Sequence, residues 1–450
     1  MAAEPAGGAG EALEGRRNDA AIGDGLGEKA AVVDENIKVG GTEETGEAVE
    51  NPLAAAKTDE PIMGQGNRFV GEGVYHRRMS LSEDQRGARA GTAANRLGLD
   101  YAAEASRLPP LPVPITDVHA HINGREAVAV YRRVAERYGI QMTYSMTKLE
   151  EVEAIRESLE GRVRFIAVPN YWSKEDRKHH MGEGFIKRVE AYHALGARIA
   201  KFWAAPRARD YGIEMGDPGL MRLDAPHRIE AMRAASALGM VFMVHVADPD
   251  TWFATRYRDA ARYGTKREQY EPLERLLEEF GQPWIAAHMG GWPEDLEFLA
   301  GLLERYANLY LDTSATKWMV RELSKHRREQ VVAFLRRFKG RILFGSDIVT
   351  DDEHLRQSEE GTHEISGQVN SPREAFDLYA SRYWALRTLL EMGYEGESPI
   401  ADPDLSMVDP ERYGAMDAPV LRGLALPEDV LVSVYHMAAH DLLAGLHGDQ

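Results

Sequence analysis

The chain has 450 residues, of which 44% are hydrophobic and 8% aromatic, enough to bury a large core of the soluble globular kind. Its 54 Lys+Arg against 72 Asp+Glu leave a net charge of −18, which opposes attraction to phosphate backbones and anionic lipid surfaces, so neither nucleic acid nor membrane is an expected partner. There is no cysteine; disulfides, thiolate metal sites and cysteine nucleophiles are excluded, and any metal must rest on His, Asp, Glu or modified Lys.

Residues 1–65 are rich in Ala, Gly and Glu, with acids far outnumbering bases. Such a composition buries too little apolar surface to offset chain ordering, and it reads as a disordered acidic tail. Residues 66–114 contain RRMSLSEDQRGARAG and then PPLPVP, a semi-rigid linker leading into a folded body at 115–450. No run approaches the roughly 18 consecutive apolar residues of a membrane span, and the first residues show no basic stretch followed by an apolar one, so a cytoplasmic protein is expected.

From Ile115 onward, short apolar strands alternate with longer amphipathic segments, the pattern of repeated βα units. The strand candidates are ITDVHAH from Ile115, IQMTYSM from Ile140, VRFIAVP from Val163, ARIAKFW from Ala197, MVFMVHV from Met240, PWIAAHM from Pro283, NLYLDTS from Asn308 and RILFGSD from Arg341. Helical periodicity fills most gaps, as in EAVAVYRRVAERY, FIKRVEAYHALG, APHRIEAMRAASALG, DLEFLAGLLERY and REQVVAFLRRF. Such a series can close as a barrel or lie open as a doubly wound sheet; the missing GxGxxG after the first strand and the polar strand ends described next favour an α/β (β/α)8 TIM barrel. The stretches 248–269, 348–370 and 393–422 exceed ordinary barrel loops and read as lids or surface insertions.

Asp117-Val118-His119-Ala120-His121 lies at the end of the first strand candidate. Strand residues two apart share a face, so both imidazoles can converge on one ion. Polar residues recur at other strand ends: His245 on the fifth, His288 on the sixth and Asp347 on the eighth. Burying them without a common partner would be costly, and barrel sites are built at the carboxyl ends of several strands. Lys201 falls near the end of the fourth strand, while Trp172, Trp203, Arg207, Asp248, Trp252 and Trp292 lie at or just beyond strand ends and are substrate-contact candidates. His179, His180, His354, His363, His436 and His440 lack strand-end placement and read as loop or helix residues.

The segments DVHAHING, FMVHVADP, IAAHMGGWPEDL and ILFGSD resemble the amidohydrolase superfamily, especially its amidohydrolase-related branch that includes aminocarboxymuconate semialdehyde decarboxylase and related hydrolases. The likeness runs from about Ile115 to the C-terminus. It implies a divalent cation, zinc being the expected ion, on His119, His121, His245 and Asp347, with His288 as base or electrostatic partner. The branch favours one ion over two; Lys201 stands where some members carry a carboxylated lysine bridging a second, and a salt bridge or substrate contact is the other reading. Two departures stand out: Ile348 and Val349 follow GSD where an aromatic and a proline are common, and Ala438 replaces a common asparagine.

Three functions compete. The leading one is hydrolysis of an amide, ester or lactone of a small molecule by metal-activated water, with Asp347 taking the proton and His288 steadying the oxyanion. The alternative is non-oxidative decarboxylation of an unsaturated or aromatic acid, a lyase reaction; the last is a ligand-binding barrel without turnover. A homo-oligomer is compatible with each.

Overall fold

The computed structural model describes residues 91–173, 175–356 and 369–447. The expected acidic tail, the first part of the linker, His363 and residues 357–368 of the expected insertion 348–370 lie outside these residues.

All eight strand candidates form strands: β1 Ile115–Ile122, β2 Ile140–Ser145, β3 Val163–Ala167, β4 Ile199–Trp203, β5 Val241–His245, β6 Trp284–Ala286 and β7 Leu309–Asp312, followed by a last one split into β8 Ile342–Leu343 and β9 Ile348–Thr350. They make one parallel sheet in the order β8-β7-β6-β5-β4-β3-β2-β1-β9. Its two ends belong to the same short segment. β8 pairs with β7 through Leu311↔Ile342 and Asp312↔Leu343, and β9 pairs with β1 through Ala120↔Ile348, His121↔Val349 and Ile122↔Thr350. Between the halves, Val118 N donates to Phe344 O at 2.9 Å and Asp347 N to His119 O at 2.8 Å. The ring is thereby closed, and the fold is a TIM barrel.

The helices follow the predicted periodicity, at Ala127–Tyr138, Gly184–Ala194, Pro226–Ala237, Leu296–Arg305 and Arg328–Arg337 among others. The first of them ends at Gly139, whose φ of 77° supplies the left-handed cap, with its N–H on Ala135 O. A Cβ there would also collide with Leu111, so the residue both stops the helix and admits the lead-in chain. The lead-in packs on the barrel: Leu99 and Tyr101 are buried in the core, and Tyr138 donates to Tyr101 O at 3.0 Å.

Of the long insertions, 248–269 folds as two short helices, Asp250–Phe253 and Ala260–Tyr263, and a 3-10 turn, Arg267–Gln269. The stretch 393–422 forms a two-stranded antiparallel hairpin, Glu395–Glu397 with Val420–Arg422, enclosing the helix Asp404–Val408. Among the described residues, no helix is long and apolar enough to cross a membrane.

Candidate metal centre

β1 is buried along its whole length. Alternation sends Val118, Ala120 and Ile122 into the hydrophobic cluster, and Asp117, His119 and His121 to the opposite face. Asp117 does not join the two histidines at the site. Its carboxylate accepts from Ser346 Oγ and from Tyr383 O–H, the latter at 2.8 Å, and burial pushes its pKa up to about 6 against the lowering effect of those bonds. It therefore fastens β1 to the break in the eighth strand, one residue before Asp347.

That break positions the acid. Asp347 has φ 59°, a left-handed conformation rarely adopted outside glycine and costing of order 1 kcal/mol. It turns the carboxylate back over β1, with Asp347 Oδ1 at 3.2 Å from His121 Nε2 and 3.5 Å from His119 Nε2. Gly345 makes room for the approach, since a Cβ there would lie 3.0 Å from that of His119 and 3.1 Å from that of Ser314.

Three of the four imidazoles, those of His119, His288 and His245, are oriented by a carboxylate or hydroxyl behind them. His119 Nδ1 is 2.9 Å from Asp312 Oδ2; a carboxylate accepts only, so Nδ1 carries the proton and Nε2 presents a lone pair. Lys201 Nζ stands 3.3 Å from that Nε2 and is almost fully buried. His288 Nδ1 is 2.7 Å from Ser314 Oγ, which itself donates to Asp312 Oδ1. His245 Nε2 is 2.8 Å from Asp248 Oδ1, which leaves Nδ1 as its lone-pair nitrogen. Asp312 and Ser314 escaped the sequence reading, although Asp312 ends β7 just as His245 ends β5.

His119, His121 and Asp347 offer ligand atoms that all lie within 4.8 Å of one another, and His119, His288 and Asp312 form a second such group. The first group suits a metal ion. Among its buried atoms, His121 Nε2 and Asp347 Oδ1 have no hydrogen-bond partner, and neither does the neighbouring His288 Nε2. Unsatisfied buried groups cost about 1–3 kcal/mol each, and lone pairs turned toward a shared space are what a cation relieves. The second group does not suit one. Asp312 is already surrounded by donors, from His119 Nδ1, Ser314 Oγ, His288 N at 2.9 Å and Ser314 N at 3.0 Å. His245 lies in neither group; its ring packs 4.5 Å from that of His288.

Burial, reinforced by His245, His119 and Lys201, holds His288 well below the usual imidazole range, so it is neutral at pH 7. Asp312 stays ionised although burial works against it, because His119, His288 and Ser314 stabilise the anion. Like Asp347, His288 occupies the left-handed region, with φ 59°. Over His245 and His288 stands Trp318, edge-on at ring distances of 6.1 and 5.5 Å.

The substrate candidates are distributed unevenly. Asp248 is taken up by His245 and by Tyr257 O–H at 2.7 Å. Trp252 is buried against Trp318, and its Nε1 donates to Asp404 Oδ2 at 2.8 Å. Trp203 packs between Tyr171 and Tyr211. Trp172 meets Tyr171 and the Lys148 ammonium, and Trp292 stacks on Tyr270 beneath Lys266. Arg207 is half-buried, with its charge felt by Tyr257 and Tyr263.

A closed parallel (β/α)8 barrel with imidazoles and carboxylates gathered at the carboxyl ends of its strands is the scaffold of a barrel enzyme. The chain belongs to the amidohydrolase family, whose model matches residues 116–443. No curated protein matches the sequence. Among solved structures, the chain aligns with the HMG-CoA lyase of Bacillus subtilis at 14% identity over 53% of this chain and 78% of that one, with a TM-score of 0.30. It also aligns with a truncated 3-deoxy-D-arabino-heptulosonate 7-phosphate synthase from Thermotoga maritima at 11% identity, over 59% and 84%, with a TM-score of 0.27.

Proposed function

We propose that the protein is a metal-dependent hydrolase acting on an amide, ester or lactone carbon of a small molecule. The observation that carries the reading is the meeting of His119, His121 and Asp347, with His121 Nε2 and Asp347 Oδ1 buried and lacking hydrogen bonds. One ion is favoured, with zinc the expected species for imidazole and carboxylate donors. His245, outside that group, would be the further donor, through Nδ1, since Asp248 engages Nε2. When bound, the cation would lower the pKa of a coordinated water and polarise the substrate carbonyl.

The chain's own groups supply the proton handling. Asp347, with 11% of its side chain exposed, is the most open carboxylate of the cluster and takes the proton of the attacking water. Neutral His288 offers Nε2 as a second proton acceptor. Lys201, beside His119 Nε2, contributes positive charge near a developing oxyanion; its carboxylation would be required only by a second ion. Trp318 and Trp252 keep water from the His245 side of the site.

One observation favours decarboxylation of a planar unsaturated or aromatic acid as the second reading: the flat indole of Trp318 lies beside His245 and His288. The two are separated by incubating zinc-loaded protein with lactones, aryl esters and anilides, and in parallel with aromatic and unsaturated carboxylic acids. Mass spectrometry then distinguishes gain of the elements of water from loss of carbon dioxide. Chelator-sensitive addition of water supports hydrolysis, and chelator-sensitive release of carbon dioxide replaces it with the lyase reading. Turnover unaffected by complete metal removal would overturn both.

A further inference from the structure

We propose that Asp312 and Ser314 act as one positioning pair that fixes both His119 and His288 with the ring proton on Nδ1, so that both Nε2 lone pairs face the site. The assignment follows from counting hydrogens. Asp312 is an acceptor on every side, so the His119 Nδ1 contact at 2.9 Å needs an N–H from the ring. Ser314 has one hydroxyl hydrogen, and its short contact with Asp312 Oδ1 consumes it. Ser314 Oγ must then accept at its other contacts. The closest is His288 Nδ1 at 2.7 Å; His119 Nδ1 at 3.0 Å and His288 N at 3.2 Å only share with Ser314 Oγ the single hydrogens they direct to Asp312 at 2.9 Å. The His288 proton is therefore on Nδ1, and Nε2, buried and without a hydrogen-bond partner, is an acceptor.

This deepens the metal-centre reading and rests on it for its chemical consequence. His119 becomes a ligand through Nε2, and His288 accepts a proton or a cation, in place of donating to an oxyanion. Asp312 and Ser314 stand two residues apart at the end of β7, but they face β1 and the β6 exit together. One carboxylate thus sets two rings from different strands, and neither Asp312 nor Ser314, both taken up by hydrogen bonds, would serve as a ligand.

The test uses the full chain, stripped with chelator, with ring-15N histidine and long-range 15N–1H spectra. Signals are assigned by their loss in His119→Gln and His288→Gln. Both rings are expected to show the Nδ1–H pattern. Ser314→Ala should move His288 into exchange between tautomers while His119, still tied to Asp312, keeps its pattern. With zinc ion alone as probe, Asp312→Asn should weaken affinity roughly 10- to 100-fold, read by competition with a chromophoric chelator. If that variant fails to fold, the wild-type and Ser314→Ala spectra decide. Either ring protonated on Nε2 in the wild type, or an unchanged His288 pattern in Ser314→Ala, overturns the proposal. Nδ1–H on both rings in a protein that binds no zinc would uphold the pair and remove the metal reading instead.

Discussion

The indole Nε1 of Trp318 donates to Asp404 Oδ2 at 3.3 Å, joining the ring beside His245 and His288 to a segment 86 residues further along the chain. Asp404 also accepts from Trp252 Nε1 at 2.8 Å and from Arg321 Nη1 at 3.1 Å. Arg321 is fully buried and pairs with Glu322 and Asp402 as well. Although burial opposes its charge, the three carboxylates keep the guanidinium firmly protonated. The insertion 393–422 is thus pinned to the rim of the barrel by a desolvated ion cluster.

Breaking one partner of a buried ion pair costs about 3–5 kcal/mol, because it strands the other charge. Asp404→Ala is expected to lower stability by about that amount in urea unfolding and to release Trp318, seen as a shift in tryptophan emission. Asp404→Asn keeps an acceptor for the two indoles and should lose less. An Asp404→Ala protein within about 0.5 kcal/mol of wild type would place the cluster among ordinary surface pairs.

Asp347→Asn separates function from fold. Asparagine tolerates the left-handed backbone as well as aspartate does, and it removes a buried carboxylate oxygen that lacks a hydrogen bond. The metal-free variant should melt at or above the wild-type temperature. Its zinc affinity should fall by more than the roughly 100-fold that loss of a supporting group causes. A variant that melts well below wild type while retaining zinc would make Asp347 a structural residue.

Gly291 tests the backbone that carries His288. Its φ is 76°, and a Cβ there would overlap the carbonyl of Ala247, two residues after His245. Gly291→Ala must separate the β5 and β6 exits, whose histidine rings pack at 4.5 Å. A loss of about 2–4 kcal/mol in chemical denaturation is expected, from combined strain and overpacking. A wild-type denaturation midpoint would show that the two loops are not tightly apposed.

What the sequence displayed and what it concealed follow one physical division. The eight strands were legible because each is an apolar run bounded by turn residues, and the facing of His119 with His121 because strand alternation is local. The split at Gly345–Asp347 was not, since it depends on β7 and β1 competing for one segment. Asp248 looked like a loop residue open to substrate; only the turn after β5 shows that it reaches back to His245. Asp312 carries the same strand-end signal as His245, but a lone strand-end carboxylate is inconspicuous beside histidines. Asp404 and Trp318 had no such signal, because nothing local to either announces a contact across 86 residues.

His354 provides a pH-dependent measure of the turn that secures the β1 exit. It lies in the 3-10 helix Asp352–Leu355, with Nδ1 2.8 Å from Tyr379 Oη, and burial lowers its pKa to about 4. An unfolded histidine titrates near 6.5. Between about pH 6.5 and 4 the unfolded chain therefore binds a proton that the folded chain does not, so stability is whole above that window and falls as pH drops through it. The full shift is worth on the order of 3 kcal/mol, of which about 2 are lost by pH 5. His354→Gln keeps a polar partner for Tyr379 and removes the titration. Urea unfolding at pH 7 and pH 5 should show wild type losing about 2 kcal/mol more than the variant, and parallel losses would refute the assignment. The consequence reaches the site because Asp352, in the same turn, accepts from Arg125 N, Glu126 N and Ala127 N at 3.1, 2.9 and 2.8 Å. Those amides open the helix that follows His119 and His121, so loosening of the turn by acid should first appear as faster hydrogen exchange at residues 125–127.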